Sequence, residues 1–315
     1  MRIRKLIGLF CLLSAAGVFI FTMKGAWPHI KGYIDSLLLY SRIQDEGEVP
    51  DDSGGRPDRE YTPVREENST ETLSPETESE SETGTESRKE NKYSDYPEIN
   101  WSKMREINED YIGWIYIPGT GISYPVVQSE DNIDYLHRGF DGSYLYAGTI
   151  FMDCRNMEAG VASKRSILYG HNMRIGTMFA GIKKYQEQEY YEKHDHFWFV
   201  TEDTAYRYSI FACNIASPYD DSHFGVQFAD DDEFMKAVDK IVETSLIRTD
   251  VKLNARDHIM TLSTCTPDHS RRNVVHGVLD GTVKLRDRHS EDLGDTGRKI
   301  LSTEQISTEP VQPET

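Results

Sequence analysis

Between residues 93 and 286 the sequence breaks into short runs of β-branched and aromatic residues, each stopped by a turn signal. Ile112-Gly113-Trp114-Ile115-Tyr116-Ile117 stops at Pro118-Gly119, and residues 122–127 resume the pattern. Thr149-Ile150-Phe151-Met152 and Ser166-Ile167-Leu168-Tyr169 follow. Residues 197–200 and 206–215 read as a hairpin around Glu202-Asp203, and residues 258–263 and 273–279 as two closing strands. Helical periodicity is confined to two places. Trp101, Met104, Ile107 and Tyr111 recur at three- and four-residue spacing. In 230–246, Phe234, Ala237, Val238, Ile241, Val242 and Leu246 share one face behind the acidic start Asp230-Asp231-Asp232-Glu233. Many short strands with few helices predict a mainly β fold, closed into a barrel rather than laid out as a parallel α/β sheet.

The rest of the chain is different. Only 37% of its 315 residues are hydrophobic, and the deficit is local. Residues 45–92 hold 16 acidic and 6 basic residues, −10 of the chain's −18, with almost nothing to bury. Such a stretch cannot offset its ordering entropy and is expected to be a disordered, extended acidic linker. Residues 287–315 are polar again and read as a disordered tail. The acidic balance excludes a nucleic-acid partner, which would need clustered Lys and Arg.

At the start, Arg2, Arg4 and Lys5 precede an apolar run over 6–23. Residues 1–5 are then a cytoplasmic basic start and 6–23 a single-pass transmembrane signal-anchor. A cleaved signal peptide is the alternative; Ser14-Ala15-Ala16-Gly17 is small enough, but apolar Val18-Phe19-Ile20-Phe21 follows directly. Residues 24–44 read as a juxtamembrane segment with a short helix. Either way the domain after it is exported to the outside of the cell membrane.

Four cysteines, Cys11, Cys154, Cys213 and Cys265, are too few and too scattered for a disulfide framework or a CxxC metal site. Cys154 and Cys213 could pair, though free buried thiols are the plainer reading. Cys265 ends the strand run Ile259-Met260-Thr261-Leu262-Ser263-Thr264-Cys265, and Pro267-Asp268 break it. A thiol at a strand end is held rigidly yet reachable, as a nucleophile must be. An unperturbed thiol titrates near pH 8.5, so it needs a base or a cation beside it. His171 closes another apolar run at Leu168-Tyr169-Gly170-His171-Asn172-Met173, where Gly170 permits a tight turn. Arg271-Arg272-Asn273-Val274-Val275-His276 returns soon after the cysteine, so an arginine should stand beside the thiol on an antiparallel neighbour. Its fork of donors suits an oxyanion or a substrate carbonyl. Singly, each residue reads as a buried thiol, a structural histidine and a surface arginine. His194-Asp195-His196 reads as a solvated turn rather than a metal site, and His276 as a packed strand residue. No metal or cofactor is implied.

Taken together, Tyr169-Gly170-His171-Asn172-Met173, Thr261-Leu262-Ser263-Thr264-Cys265 and Arg272-Asn273-Val274-Val275-His276 resemble the catalytic pieces of a sortase, most closely class B, in that family's order. Trp114-Ile115-Tyr116-Ile117-Pro118-Gly119-Thr120, Tyr124-Pro125-Val126-Val127-Gln128, Asp131-Asn132 and Tyr135-Leu136 are similar to its opening segments. The resemblance implies a closed eight-stranded β-barrel over 93–286, with an N-terminal helix at 101–111 and a long helix between late strands at 230–246. It implies a cysteine transpeptidase that cleaves a C-terminal sorting motif of exported proteins. The new carboxyl end would be held as a thioacyl group on Cys265 and passed to an amine of a peptidoglycan precursor or a pilin. His171 then matches the general acid/base and Arg272 the oxyanion-stabilising arginine; Asn132, Leu136, Tyr169 and Ser263 fall at positions that resemble substrate contacts. The loop between Cys265 and Arg272 is short for the family. Two rival readings stand: a non-catalytic anchored surface-binding protein, and a cysteine peptidase that only hydrolyses.

Overall fold

The computed structural model describes residues 27–28, 30–49, 61–65 and 95–285. The basic start, the apolar run 6–23, most of the acidic linker and the tail lie outside the described residues. Among the described residues no helix is long and apolar enough to cross a membrane.

Helix α1 covers residues 30–47. A three-residue strand β1 (Tyr61–Pro63) and helix α2 (Trp101–Ile107) precede the barrel. The barrel strands are β2 (Tyr111–Tyr116), β3 (Ser123–Val127), β4 (Ile150–Met152), β5 (Arg165–Tyr169), β6 (His196–Val200), β7 (Thr204–Ala216), β8 (Ile259–Cys265) and β9 (Arg272–Lys284). Helices α3 (Gln188–Lys193), α4 (Asp221–Phe224) and α5 (Asp231–Glu243) decorate it. Pairing runs β9-β7-β6-β2-β3-β4-β5-β8, and β8 returns to β9, so eight strands form a closed ring. Closure leaves no long unpaired edge. β3–β4 and β5–β8 are parallel and the other ring pairs antiparallel.

Alternation along β8 and β9 separates two faces. Leu168, Met260, Leu262 and Val275 join the main core with Val126, Ile150 and Phe197. The intervening residues point outward. At one end Ile259 and Val278 meet Phe234, Val238 and Ile241 of α5. That helix starts as its acidic first turn predicts: Asp230 Oδ1 accepts from the Glu233 amide at 2.8 Å. Nearer the other end, Ile167 and Val274 meet Phe224 and Val226 of the α4 segment.

Three local readings change. The 101–111 helix ends at Ile107. Asn108 takes an extended backbone (φ −147°, ψ 116°), and its side chain donates to Phe140 O at 2.9 Å, so Tyr111 opens β2 instead. The segment read as juxtamembrane forms α1, which lies on the barrel domain with Leu39, Tyr40 and Ile43 buried. Within the stretch read as disordered linker, α1 runs on to residue 47, and β1 pairs with β9 beyond the end of β8, Tyr61 opposite Val283. Arg65 adds an ion pair with the buried Asp257 carboxylate at 3.3 Å. A three-residue strand in an acidic, proline-punctuated stretch carries no periodic signal.

Candidate active site

β8 and β9 set Cys265 and Arg272 directly opposite one another as the last pair of their ladder. Facing residues of an antiparallel pair share one side of the sheet, with Cβ atoms roughly 5 Å apart. The six-residue connection is tied by Asp268, which accepts from Ser270 Oγ at 2.7 Å and from the Thr266 hydroxyl. The hydroxyls of Thr266 and Ser270 hold the Asp268 carboxyl down at about 2. His269 adopts φ 59°, an uncommon left-handed backbone for a residue with a Cβ, and its amide closes the turn onto Thr266 O at 2.9 Å. This short, braced loop fixes where β9 begins. Arg272 is half-buried, and its Nη1 donates to Arg271 O at 3.1 Å.

The other side of Cys265 belongs to β5. Tyr169 and Ser263 are partners in the parallel β5–β8 ladder. Past that pair the two chains stay together: the Gly170 amide donates to Ser263 O at 3.1 Å, the Thr264 hydroxyl to Gly170 O at 2.6 Å, and the Asn172 amide group to Cys265 O at 2.8 Å. His171 is thereby held alongside Cys265. Gly170 serves close approach rather than a turn, for a Cβ there would stand 2.8 Å from the Phe179 ring. The Phe179 amide in turn donates to His171 O at 3.1 Å.

His171 Nε2 lies 2.8 Å from Leu136 O, so the proton on that nitrogen points at a carbonyl and Nδ1 is left as the basic atom. Burial is the main cause that holds the imidazole below its ordinary range, assisted by His137 and His269 and opposed by the Leu136 carbonyl. His137 stacks on it, centroids 5.6 Å apart. Cys265 is itself a free, half-buried thiol, as is Cys154, while Cys213 is a buried free thiol pushed up to about 12 by burial.

The four residues read as substrate contacts divide. Ser263 lies two residues before Cys265 on the same face; it is buried, and its hydroxyl has no partner among the described residues. Tyr169 is half-buried on the same side, its hydroxyl donating to Asp153 Oδ2 at 2.8 Å. Burial and that carboxylate push its phenol well up. Leu136 reaches the site through its carbonyl. Asn132 is spent on structure: its Oδ1 accepts from the Cys154 amide at 2.8 Å. Three residues unmarked in the sequence also matter. Asp153 grips both Tyr169 and Arg155, Arg155 donates on to Phe224 O at 3.0 Å, and Asn172 anchors the carbonyl of Cys265. Only Asn172 carried a signal, as part of the His171 motif.

His276 stands four residue pairs behind the Cys265–Arg272 pair, on the same face, and is fully buried between the Thr261 hydroxyl at 3.0 Å and His223 Nδ1 at 3.1 Å. His196 is clamped by Asp195 at 2.7 Å and Asp95 at 3.0 Å, while His194 bonds Pro118 O. Among the described residues no cluster has the make-up of a metal site. A cleft of about 880 Å³ opens between Gln44, Glu48, Asp95 and Thr120, but no cysteine or histidine lines it. The end of the sheet at Cys265 therefore brings together a half-buried free thiol, a half-buried imidazole held below its ordinary range and a fork of cationic donors. That set can attack a carbonyl, stabilise the resulting oxyanion and move a proton.

Residues 115–280 match the family model for the sortase domain. The chain is 34% identical over 179 residues to sortase B of Staphylococcus aureus, covering 57% of this chain and 72% of that protein. The match to sortase B of Listeria monocytogenes is also 34% over 179 residues, covering 56% and 72%. Among solved structures, sortase B from B. anthracis superposes with a TM-score of 0.52 at 36% identity, covering 58% of this chain and 83% of that one.

Proposed function

The chain belongs to the sortase family, as a class B-like transpeptidase, and from that premise we propose that Cys265 is its nucleophile, His171 its acid/base and Arg272 its oxyanion donor. Cys265 gives its thiol proton to neutral His171, its sulfur attacks the carbonyl carbon at a sorting motif, a C–S bond forms, and the oxyanion falls to the guanidinium of Arg272. The C–N bond then breaks, and the departing amine takes its proton from the His171 imidazolium. In the second half an acceptor amine gives a proton to neutral His171, attacks the thioester and releases the thiol. The donors are exported proteins that carry the motif. The acceptor is an amine of a wall precursor or a pilin.

The observation that carries this reading is the cross-strand register of Cys265 with Arg272, with residues 170–172 bonded along the same strand end. Two features support substrate binding there: the unpartnered buried Ser263 hydroxyl and the Tyr169 ring face the same side as the thiol. Leu136 and Asn132 would contribute through the loop that His171 leans on. The apolar run 6–23 would anchor the enzyme with its N-terminus in the cytoplasm and its domain outside.

Mass spectrometry of the full-length protein in detergent, given peptides with sorting motifs, tests the proposal. An acyl adduct on Cys265 is expected, lost in Cys265→Ala and discharged by an added amine. Discharge by water alone would make the protein a hydrolase. Absence of any adduct across a broad motif library would leave a binding protein.

A further inference from the structure

We propose that the exposed rings of His137, Tyr144 and Tyr146 form a platform that receives a sugar ring of the incoming acceptor beside His171. This deepens the transpeptidase reading and rests on it, adding the chemical class of the second substrate. The loop between β3 and β4 folds back on itself to present these rings. Arg138 bridges Tyr144, the Leu145 amide donates to His137 O at 2.9 Å, and the Gly139 amide to Ser143 O at 2.7 Å. Gly142 makes the turn at φ 79°. His137 sits at the junction of the row. Its ring is 5.6 Å from His171 with planes 18° apart, 6.1 Å from Tyr146 at 25°, and 6.0 Å from Tyr144 at 34°. Tyr33 of α1 meets the edge of Tyr146 at 6.0 Å and holds that ring in place.

Yet the rings are not buried. Tyr144 is 80% and Tyr146 48% exposed. Large apolar rings held side by side in water, in a loop built around them, point to a ligand rather than to packing. Position decides which ligand. The groups that suit the donor peptide, Ser263 and Tyr169, lie behind Cys265 on the sheet face, toward α4. The three rings continue from the other partner, His171, which must touch the attacking amine. Chemistry decides the class. A pyranose offers a flat C–H face to an aromatic ring and hydroxyls around its rim, matched by phenol and imidazole polar atoms at the ring edges. An amine on a bare peptide would leave Tyr144 with nothing to cover it.

The test uses full-length protein and two acceptors with the same amine. One is a free peptide; the other is that peptide carried on an N-acetylhexosamine disaccharide. Acylation of Cys265 in a single turnover and KM for each acceptor are measured for wild type, Tyr144→Ala, Tyr146→Ala and Tyr144→Phe. The alanine variants should raise KM for the glycosylated acceptor up to about tenfold per ring lost. Acylation and KM for the bare peptide should not move, and Tyr144→Phe should retain most of the preference. Equal KM for both acceptors in wild type, or an equal rise for both in the variants, would overturn the platform. Calorimetry of the glycosylated acceptor with Cys265→Ala reads the same site without turnover. Binding that weakens in Tyr144→Ala supports the platform, and no binding refutes it. Failure of the transpeptidase reading would appear separately, as wild type that never acylates.

Discussion

Arg272 faces Cys265 across the ladder, yet its guanidinium Nη1 leans on the carbonyls of Arg271 and His269, so that nitrogen is engaged and the Nε and Nη2 donors remain for substrate. The planar fork, and not the charge alone, is what can bridge an oxyanion and a neighbouring carbonyl. Arg272→Ala should therefore cost about 10²–10³ in kcat, the usual loss for one oxyanion donor. Arg272→Lys should recover only a small part of it. Alkylation of Cys265 by a small reagent should proceed at the wild-type rate in both variants, separating transition-state stabilisation from access to the thiol. A lysine variant with near wild-type kcat would assign the residue a purely electrostatic part. The pairing behind this prediction was readable in the sequence, because a strand leaving a six-residue loop must return beside its predecessor. What the arginine leans on was not, since loop carbonyls carry no side-chain signature.

At the scale of elements, α4 has four residues and is too short to hold itself. Arg155 donates to its Phe224 carbonyl, Arg165 donates to Gly225 O at 3.0 Å, and His223 bonds His276 of β9. Burial, with Arg165 adding to it, holds both imidazoles below their ordinary range, His276 well below. His171 is depressed for the same first reason. The sign follows from proton uptake. Unfolded imidazoles bind protons below about pH 6.5, whereas these three stay neutral in the fold until the pH reaches their lower values. Stability they contribute is full above about pH 6.5 and drains as the pH falls. His196 runs the other way: burial opposes its charge, but Asp195 and Asp95 raise it, so its contribution is full below about pH 6.5 and fades as the pH rises through its folded value. Three depressed groups predict a Tm that falls between about pH 6.5 and 5, with His223→Gln removing part of the slope, whereas Asp95→Asn should act above that window, removing part of the His196 stability that fades there. A flat Tm over that interval would show that these histidines are not neutral in the fold. Most strands behind this network were legible, because period-two runs ending at Pro118-Gly119 or Glu202-Asp203 have one reading. The parallel pairing of β5 with β8, separated by about ninety residues, was not, since register between distant strands leaves no local pattern.

For the whole molecule, the question is where the folded unit begins. Hydropathy alone starts it at residue 93, because the stretch between 45 and 92 is acidic overall and has almost nothing to bury. The structure adds α1, whose Leu39, Tyr40 and Ile43 are buried in the main core, and whose Gln44 donates to Ser123 O at 2.6 Å. Gly47 lies so close to Trp114 that a Cβ there would stand 2.9 Å from the indole. The docking was hidden because α1 is apolar on both sides: Ile34, Leu37 and Leu38 are exposed while Leu39 and Ile43 are buried, so no single stripe marks the inward face. The same helix carries Tyr33 against Tyr146, which ties the stability of the unit to the rings beside His171. Ile43→Ala, at a fully buried position, should cost about 2–5 kcal/mol, a fall in Tm of roughly 5–20 °C for a unit of this size. A fragment starting at residue 93 should melt well below one starting at residue 27, because it uncovers Trp114 and loses every α1 contact at once. It should also lose transfer to the glycosylated acceptor in greater proportion than Cys265 acylation, since the Tyr146 ring is left without its brace. Equal melting temperatures for the two fragments would detach α1 from the fold and return the boundary to residue 93.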